Sequence, residues 1–258
     1  MRITPVPMRE STMPVAASRR AFGIASLDAA LGGGLARGCI HEIYAAEAED
    51  GAAPAGFGVT MATGMTDPDR TMLWLRTQRA TRTGGVMQAA GWAELGGAPG
   101  HGLVGMVPDA MSLLRATVDA LRCSALGAVI MESWGAMREL DLTASRRLAL
   151  AAERSGVPLL LLRMDAAPVP SAAQTRWQVA AASSRALPGN APGEPAFDVT
   201  LLRQRSGPCG LDWRLEWDRD RRIFREAPLS GAVVSVPARG SAAAGGGGLP
   251  FADDRYAA

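Results

Sequence analysis

The residues best spaced for chemistry lie early in the chain. Leu27-Asp28, Leu31-Gly32-Gly33-Gly34-Leu35, Gly38 and Glu42-Ile43 lead there into a small-residue loop, Ala45 to Gly58. A glycine turn and an apolar strand opening onto such a loop form the approach to a phosphate cradle. In that cradle backbone N–H groups wrap the anion, a lysine neutralises it and a Ser or Thr hydroxyl holds magnesium. This chain departs from the pattern G-x-x-x-x-G-K-[ST] at its chemical centre. The loop is too long, and Gly56-Phe57-Gly58 falls where Gly-Lys-Thr is expected, with Phe57 at the lysine position. All 27 basic residues are arginine, and there is no lysine in the chain. Loss of that charge-assisted contact forfeits about 1.5–3 kcal/mol. Glu47, Glu49 and Asp50 add like charge beside any triphosphate, so the loop is expected to repel ATP.

Two further requirements of triphosphate hydrolysis are met poorly. Thr71 to Thr83, where a water-positioning carboxylate would stand, contains no Asp or Glu and carries Arg76, Arg79 and Arg82 instead. The apolar run Ala128-Val129-Ile130-Met131 does end in an acid, Glu132, which reads as a residual magnesium-facing position or a core-edge carboxylate. Lysine-dependent covalent chemistry is excluded outright. Cys39, Cys123, Cys209, His41 and His101 form neither a disulfide framework nor a metal-ligand set, and no catalytic triad is suggested. No catalytic residue, metal or cofactor is therefore expected.

Residues 203–225 hold seven arginines against four acids, with Trp213 and Trp217 interleaved. Arg203, Arg205, Arg214, Arg221 and Arg222 with the two tryptophans could pair phosphates and stack bases, or meet a protein partner. Trp213, Leu215 and Trp217 have strand period two, so one face also reads as core. After a glycine-rich linker, Leu249-Pro250-Phe251 followed by Asp253 and Asp254 suits a short motif docking into a partner's groove, or a plain tail.

The elements that must position these groups follow from hydrophobic pattern. The 258 residues are 48% hydrophobic and 20% charged, with net charge +2 and mean hydropathy +0.06, which describes a globular chain with no membrane span. An N-terminus without an apolar signal core points to the cytoplasm. Residues 1–20 read as a flexible arm, 21–226 as the core and 227–258 as a flexible Gly/Ala-rich tail. Within the core, Ser26 is expected to cap a short helix and Cys39–Tyr44 to form a strand. Helices are expected over Gly58–Met65, Ala110–Cys123 behind an Asp109 cap, and after a Thr143 cap. Strands are expected at Thr71–Leu75, Leu103–Val107, Ala128–Met131 and Val157–Leu162. Continuous apolar strands between amphipathic helices imply a parallel sheet covered on both faces. Trp177–Ala182, Phe197–Arg203 and Leu211–Trp217 lack room for crossover helices and should extend it antiparallel.

Phe22 to Tyr44 resembles the entry to the RecA-like P-loop NTPase core. Together with Leu142-Thr143-Ala144-Ser145-Arg146-Arg147-Leu148, Thr175-Arg176-Trp177 and Leu201-Leu202-Arg203-Gln204-Arg205-Ser206-Gly207, the chain is similar over residues 20–217 to the ImuA family of bacterial DNA-damage-inducible mutagenesis proteins. The resemblance implies an α/β RecA-like core with a degenerate P-loop. It also implies an accessory role in error-prone translesion synthesis, beside an ImuB-like Y-family polymerase homologue and a DnaE2-type polymerase subunit. RecA, self-association and direct DNA contact stay open as further contacts. The competing readings are a DNA-stimulated ATPase using Arg37 or Arg76 in place of lysine, and an SOS-type cell-division inhibitor.

Overall fold

The computed structural model describes residues 18–48, 50–191 and 193–227. Strand β1 (Arg19–Arg20) pairs with β2 (Leu35–Ala36) around helix α1 (Ala25–Ala30). This pairing works because Gly34 has φ 109° and no side chain: a Cβ there would lie 2.3 Å from the Arg20 carbonyl oxygen. Ser26 does not cap α1. The Asp28 carboxylate does the local work, accepting from Phe22 N at 2.7 Å and Gly23 N at 2.9 Å, while Ser26 Oγ accepts from Trp213 Nε1.

The main sheet comprises β3 (Ile40–Ala45), β4 (Thr71–Thr77), β5 (Gly102–Val107), β6 (Leu126–Trp134), β7 (Leu159–Met164), β8 (Thr175–Ala181), β9 (Ala196–Gln204), β10 (Leu211–Asp218) and β11 (Ile223–Glu226). Its order is β11-β10-β9-β8-β3-β7-β6-β4-β5. From β8 to β5 every neighbouring pair is parallel, and β8 to β11 are antiparallel. Helix α2 (Ala52–Met65) lies on one face with the aromatic core; α5 (Ala110–Leu121) and α6 (Leu142–Ser155) cover the other. The short helices α3 (Gln78–Gly84) and α4 (Ala89–Glu94) fill the connection from β4 to β5. Among the described residues no helix is long and apolar enough to cross a membrane.

Asp109 caps α5 as its position suggests, accepting from Ser112 N at 2.8 Å. The α6 cap is Asp141 rather than Thr143, accepting from Ala144 N at 2.7 Å. Aspartate is the stronger acceptor, and it begins the helix two residues earlier.

His41 is fully buried in β3. Trp177 Nε1 donates to Thr175 Oγ1 at 2.7 Å, the Thr175 hydroxyl donates to His41 Nδ1 at 2.7 Å, and His41 Nε2 donates to the Ala36 carbonyl at 2.9 Å. The chain uses every donor once with a neutral ring, and burial pushes the imidazole pKa down from 6.5 to about 4. Between those two values the unfolded chain binds a proton that the folded chain does not. Stability is therefore flat above the upper value and falls with decreasing pH below it, by roughly 1 kcal/mol per pH unit. Urea midpoints across that window, compared with a His41→Gln variant, measure the slope; equal slopes would assign it to other groups.

Candidate nucleotide corner

Only six residues separate β3 from helix α2, which begins at Ala52. The connecting loop is thus shorter than the Ala45–Gly58 segment expected from composition, and Gly51-Ala52-Ala53 occupies the helix's opening turn. Gly56, Phe57 and Gly58 are interior helix positions, which corrects their placement in a phosphate loop. Phe57 is 0% exposed and packs against Phe22, Trp177, Phe197 and Phe224. Gly58 lets the helix approach the sheet, since a Cβ there would meet a Leu162 methyl at 2.8 Å. Ala45 ends β3 half-buried and Glu47 is exposed in the loop, while Glu49 lies outside the described residues.

Asp50 holds the position an anion would take at the start of α2. One carboxylate oxygen accepts from Ala53 N at 3.2 Å, and the other from Ala181 N at 2.7 Å at the end of β8. A negative charge carried by the chain thus sits on the helix N-terminus, favoured by the dipole and by the otherwise unpaired amides. Asp50→Ala is expected to cost roughly 0.5–2 kcal/mol by equilibrium denaturation, as for other lost caps. An Asp followed within four residues by Pro54 is the helix-start signal that marks this cap in the sequence.

Glu132, near the end of β6, is equally engaged. Its Oε1 accepts from Arg76 Nη2 at 2.9 Å and Trp134 Nε1 at 2.6 Å, and its Oε2 accepts from Trp74 Nε1 at 2.9 Å. Arg76 and Glu132 side chains are 5% and 4% exposed. Arg76 also donates to the Gly85 and Ala80 carbonyls. The Trp134 ring lies against Gly51 and Gly84, where a Cβ on either would come within 2.7 Å of it. Carboxylate, guanidinium and two indoles close the space beside the start of α2. Arg76 is therefore a buried strand residue, whereas Arg79 and Arg82 are exposed on α3.

The arginine-tryptophan surface is not assembled as a stacking platform. Trp213 and Trp217 are 7% and 2% exposed in the aromatic core. Arg214 makes two hydrogen bonds to Asp198, at 2.7 and 2.8 Å. Arg221 and Arg225 converge on Asp218, whose carboxyl is pulled down to about 2 by the Arg221 N–H and both guanidiniums. Period-two packing claims the indoles and neighbouring acids claim these arginines. Arg203, Arg205 and Arg222 remain exposed. Leu249, Pro250 and Phe251 lie outside the described residues. Among the described residues no group of His, Cys, Asp and Glu could hold a metal ion.

No family model matches the chain. Its fold is similar to the crystal structure of the RadB recombinase, with TM-score 0.50 and 15% identity over 81% of this chain and 99% of that one. The architecture is RecA-like α/β, a mostly parallel sheet between helices with antiparallel strands at its C-terminal side. Protein ImuA of Caulobacter vibrioides, in strains NA1000 and ATCC 19089, is 34% identical over 210 residues, covering 76% of this chain and 82% of the relative. Identity at that level, over three quarters of this chain and four fifths of the relative, shows that the chain belongs to the ImuA family.

Proposed function

We propose that this chain is a non-catalytic, RecA-like adaptor of error-prone translesion DNA synthesis in the damage response, recruiting or organising polymerases through its surfaces. The observation that carries this reading is the self-occupied nucleotide corner. Asp50 sits on the α2 amides, and Glu132 is saturated by Arg76, Trp74 and Trp134. The chain acts as a pseudo-ATPase. The ATPase alternative needs a cation beside the loop, and the geometry disfavours both candidates. Arg37 lies 4.0 Å from Asp67, past the C-terminal end of α2, and Arg76 is committed to Glu132.

Partner contact is supported at the sheet edge. The outermost strand β5 exposes Leu103, Val104 and Met106 at 56%, 51% and 64%. It is apolar on both faces, the pattern of an interior strand, and its free backbone groups suit an extended segment of another protein. The family resemblance names an ImuB-like Y-family homologue and a DnaE2-type polymerase subunit as the partners.

Two measurements test the reading. Isothermal titration with ATP and magnesium should give no micromolar binding, and such binding would overturn the non-catalytic half. Pull-down from damage-treated cells should recover the polymerase partners, and recovery should collapse for a folded Leu103→Glu/Met106→Glu variant. Failure of the wild-type chain to bring down either polymerase overturns the adaptor half.

A further inference from the structure

A second polar cluster lies on the sheet face opposite α2, at the C-terminal ends of β3, β6 and β7. Strand register puts Tyr44 beside Arg163 and Arg163 beside Ser133, with Glu42 two residues before Tyr44 on the same face. Arg163 is 2% exposed, Tyr44 2%, Glu42 0% and Ser133 5%. The Arg163 and Arg176 guanidinium carbons lie 5.8 and 5.6 Å from the Tyr44 ring centroid. Arg176 Nε donates to Glu42 Oε2 at 2.8 Å, and its Nη2 to the Val169 carbonyl and Ser171 Oγ.

Arg163 is not so provided for. Its Nε and Nη1 have no hydrogen-bond partner among the described residues, and neither do Ser133 Oγ and Glu42 Oε1, while the Tyr44 hydroxyl, next to the Val169 backbone N–H, has no acceptor for its own proton. Buried polar groups are normally paired, and a buried guanidinium without a counter-anion is among the least favourable cases. Two guanidiniums against one carboxylate leave an excess positive charge. A contact with the Tyr44 ring face offsets only part of the cost. Burial and the Glu42 charge push the Tyr44 hydroxyl pKa up, so it stays a donor.

We propose that Arg163, Tyr44, Ser133 and Glu42 form a binding site for a small protonated oxyanion of the hydrogen-phosphate type. The donors Arg163 Nε and Nη1, Tyr44 Oη and Ser133 Oγ match the phosphate oxygens. Glu42 Oε1, an acceptor with no donor, matches the P–OH. That carboxylate oxygen is the selectivity element, because it repels a fully ionised anion of the same shape and size. Sulfate is therefore rejected, and so is an internal phosphodiester, which has no hydroxyl to donate. Burial restricts the occupant to a small ion. The site is independent of the nucleotide corner, which lies on the other sheet face.

Thermal unfolding and calorimetric titration in phosphate-free buffer, with inorganic phosphate or sulfate added at matched ionic strength, test the assignment. Phosphate should raise the wild-type melting temperature and bind at least about tenfold more tightly than sulfate, as expected where a site hydrogen-bonds a ligand hydroxyl. Arg163→Met should melt no lower than wild type without phosphate, having lost an unpaired buried charge, and should not respond to phosphate. Glu42→Gln should narrow the preference over sulfate. An unaltered phosphate response in Arg163→Met, or equal wild-type responses to the two anions, overturns the proposal. Should either variant fail to fold, the phosphate-to-sulfate ratio of the wild-type chain alone decides. A 5′-phosphorylated oligonucleotide, titrated at about pH 5.5 where its terminal monoester keeps one P–OH, presents the same hydrogen-phosphate group from a larger source. If it binds and inorganic phosphate does not, the small-ion site is overturned.

Discussion

Glu132→Ala should melt on the order of 10 °C below the wild-type chain, a loss of roughly 3–5 kcal/mol. The substitution removes the acceptor of three donors at once. It leaves the Arg76 guanidinium, 5% exposed, without its counter-charge, and strands the Trp74 and Trp134 indole N–H groups. A magnesium-facing carboxylate open to solvent would behave differently, because its removal would abolish hydrolysis and cost little stability. Replacing both members of the pair by apolar residues, Arg76→Met with Glu132→Leu, should recover much of the loss, since a buried ion pair is worth far less than the penalty of breaking it on one side. A double-mutant cycle in urea reads this directly. Additive losses for the two single variants would mean that Arg76 and Glu132 are not coupled.

Comparable destabilisation, about 3–5 kcal/mol, is expected for Phe57→Ala. The Phe57 ring centroid lies 5.7 to 6.5 Å from those of Phe22, Trp177, Phe197 and Phe224, so the substitution opens a hole where four aromatic side chains meet. Phe57→Lys, which restores a lysine to the position first suggested by the sequence, should unfold the protein rather than create a phosphate contact. The same residue on an exposed loop would tolerate both changes within about 0.5 kcal/mol. Circular dichroism melts of the two variants therefore separate a core helix from a loop.

The contrast over Phe57 shows what the sequence conceals and what it displays. Strands β6 and β7 are legible because both faces are covered and their runs are continuously apolar; α5 is legible from its stripe of Leu113, Leu114 and Leu121 behind Asp109. Helix α2 is nearly invisible. It is buried on most of its circumference, so it has no polar face to set a period, and its first half, Ala52 to Gly58, is built of small residues and a proline that read as a loop. That misplaced boundary carried the phosphate position six residues too far along. At the corner itself, the absence of lysine is plain in composition. The hydrogen bonds of Asp50 to Ala181 and of Glu132 to Trp74 join residues remote in sequence, and no local pattern announces them. The tryptophans of β10 illustrate the reverse case: their alternation correctly signals a core face, and burial overrides the base-stacking chemistry that their arginine neighbours suggest.

Asp50 also alters what the fold depends on. A nucleotide-binding relative gains stability from its ligand in proportion to how far the ligand's concentration exceeds its dissociation constant, so its folded population tracks metabolite supply. In this chain the charge that quiets the head of α2 is covalently attached, at a concentration that dilution and starvation cannot lower. If the chain binds no nucleotide, as proposed above, its persistence is uncoupled from nucleotide supply, and its melting temperature should not change with added ATP and magnesium.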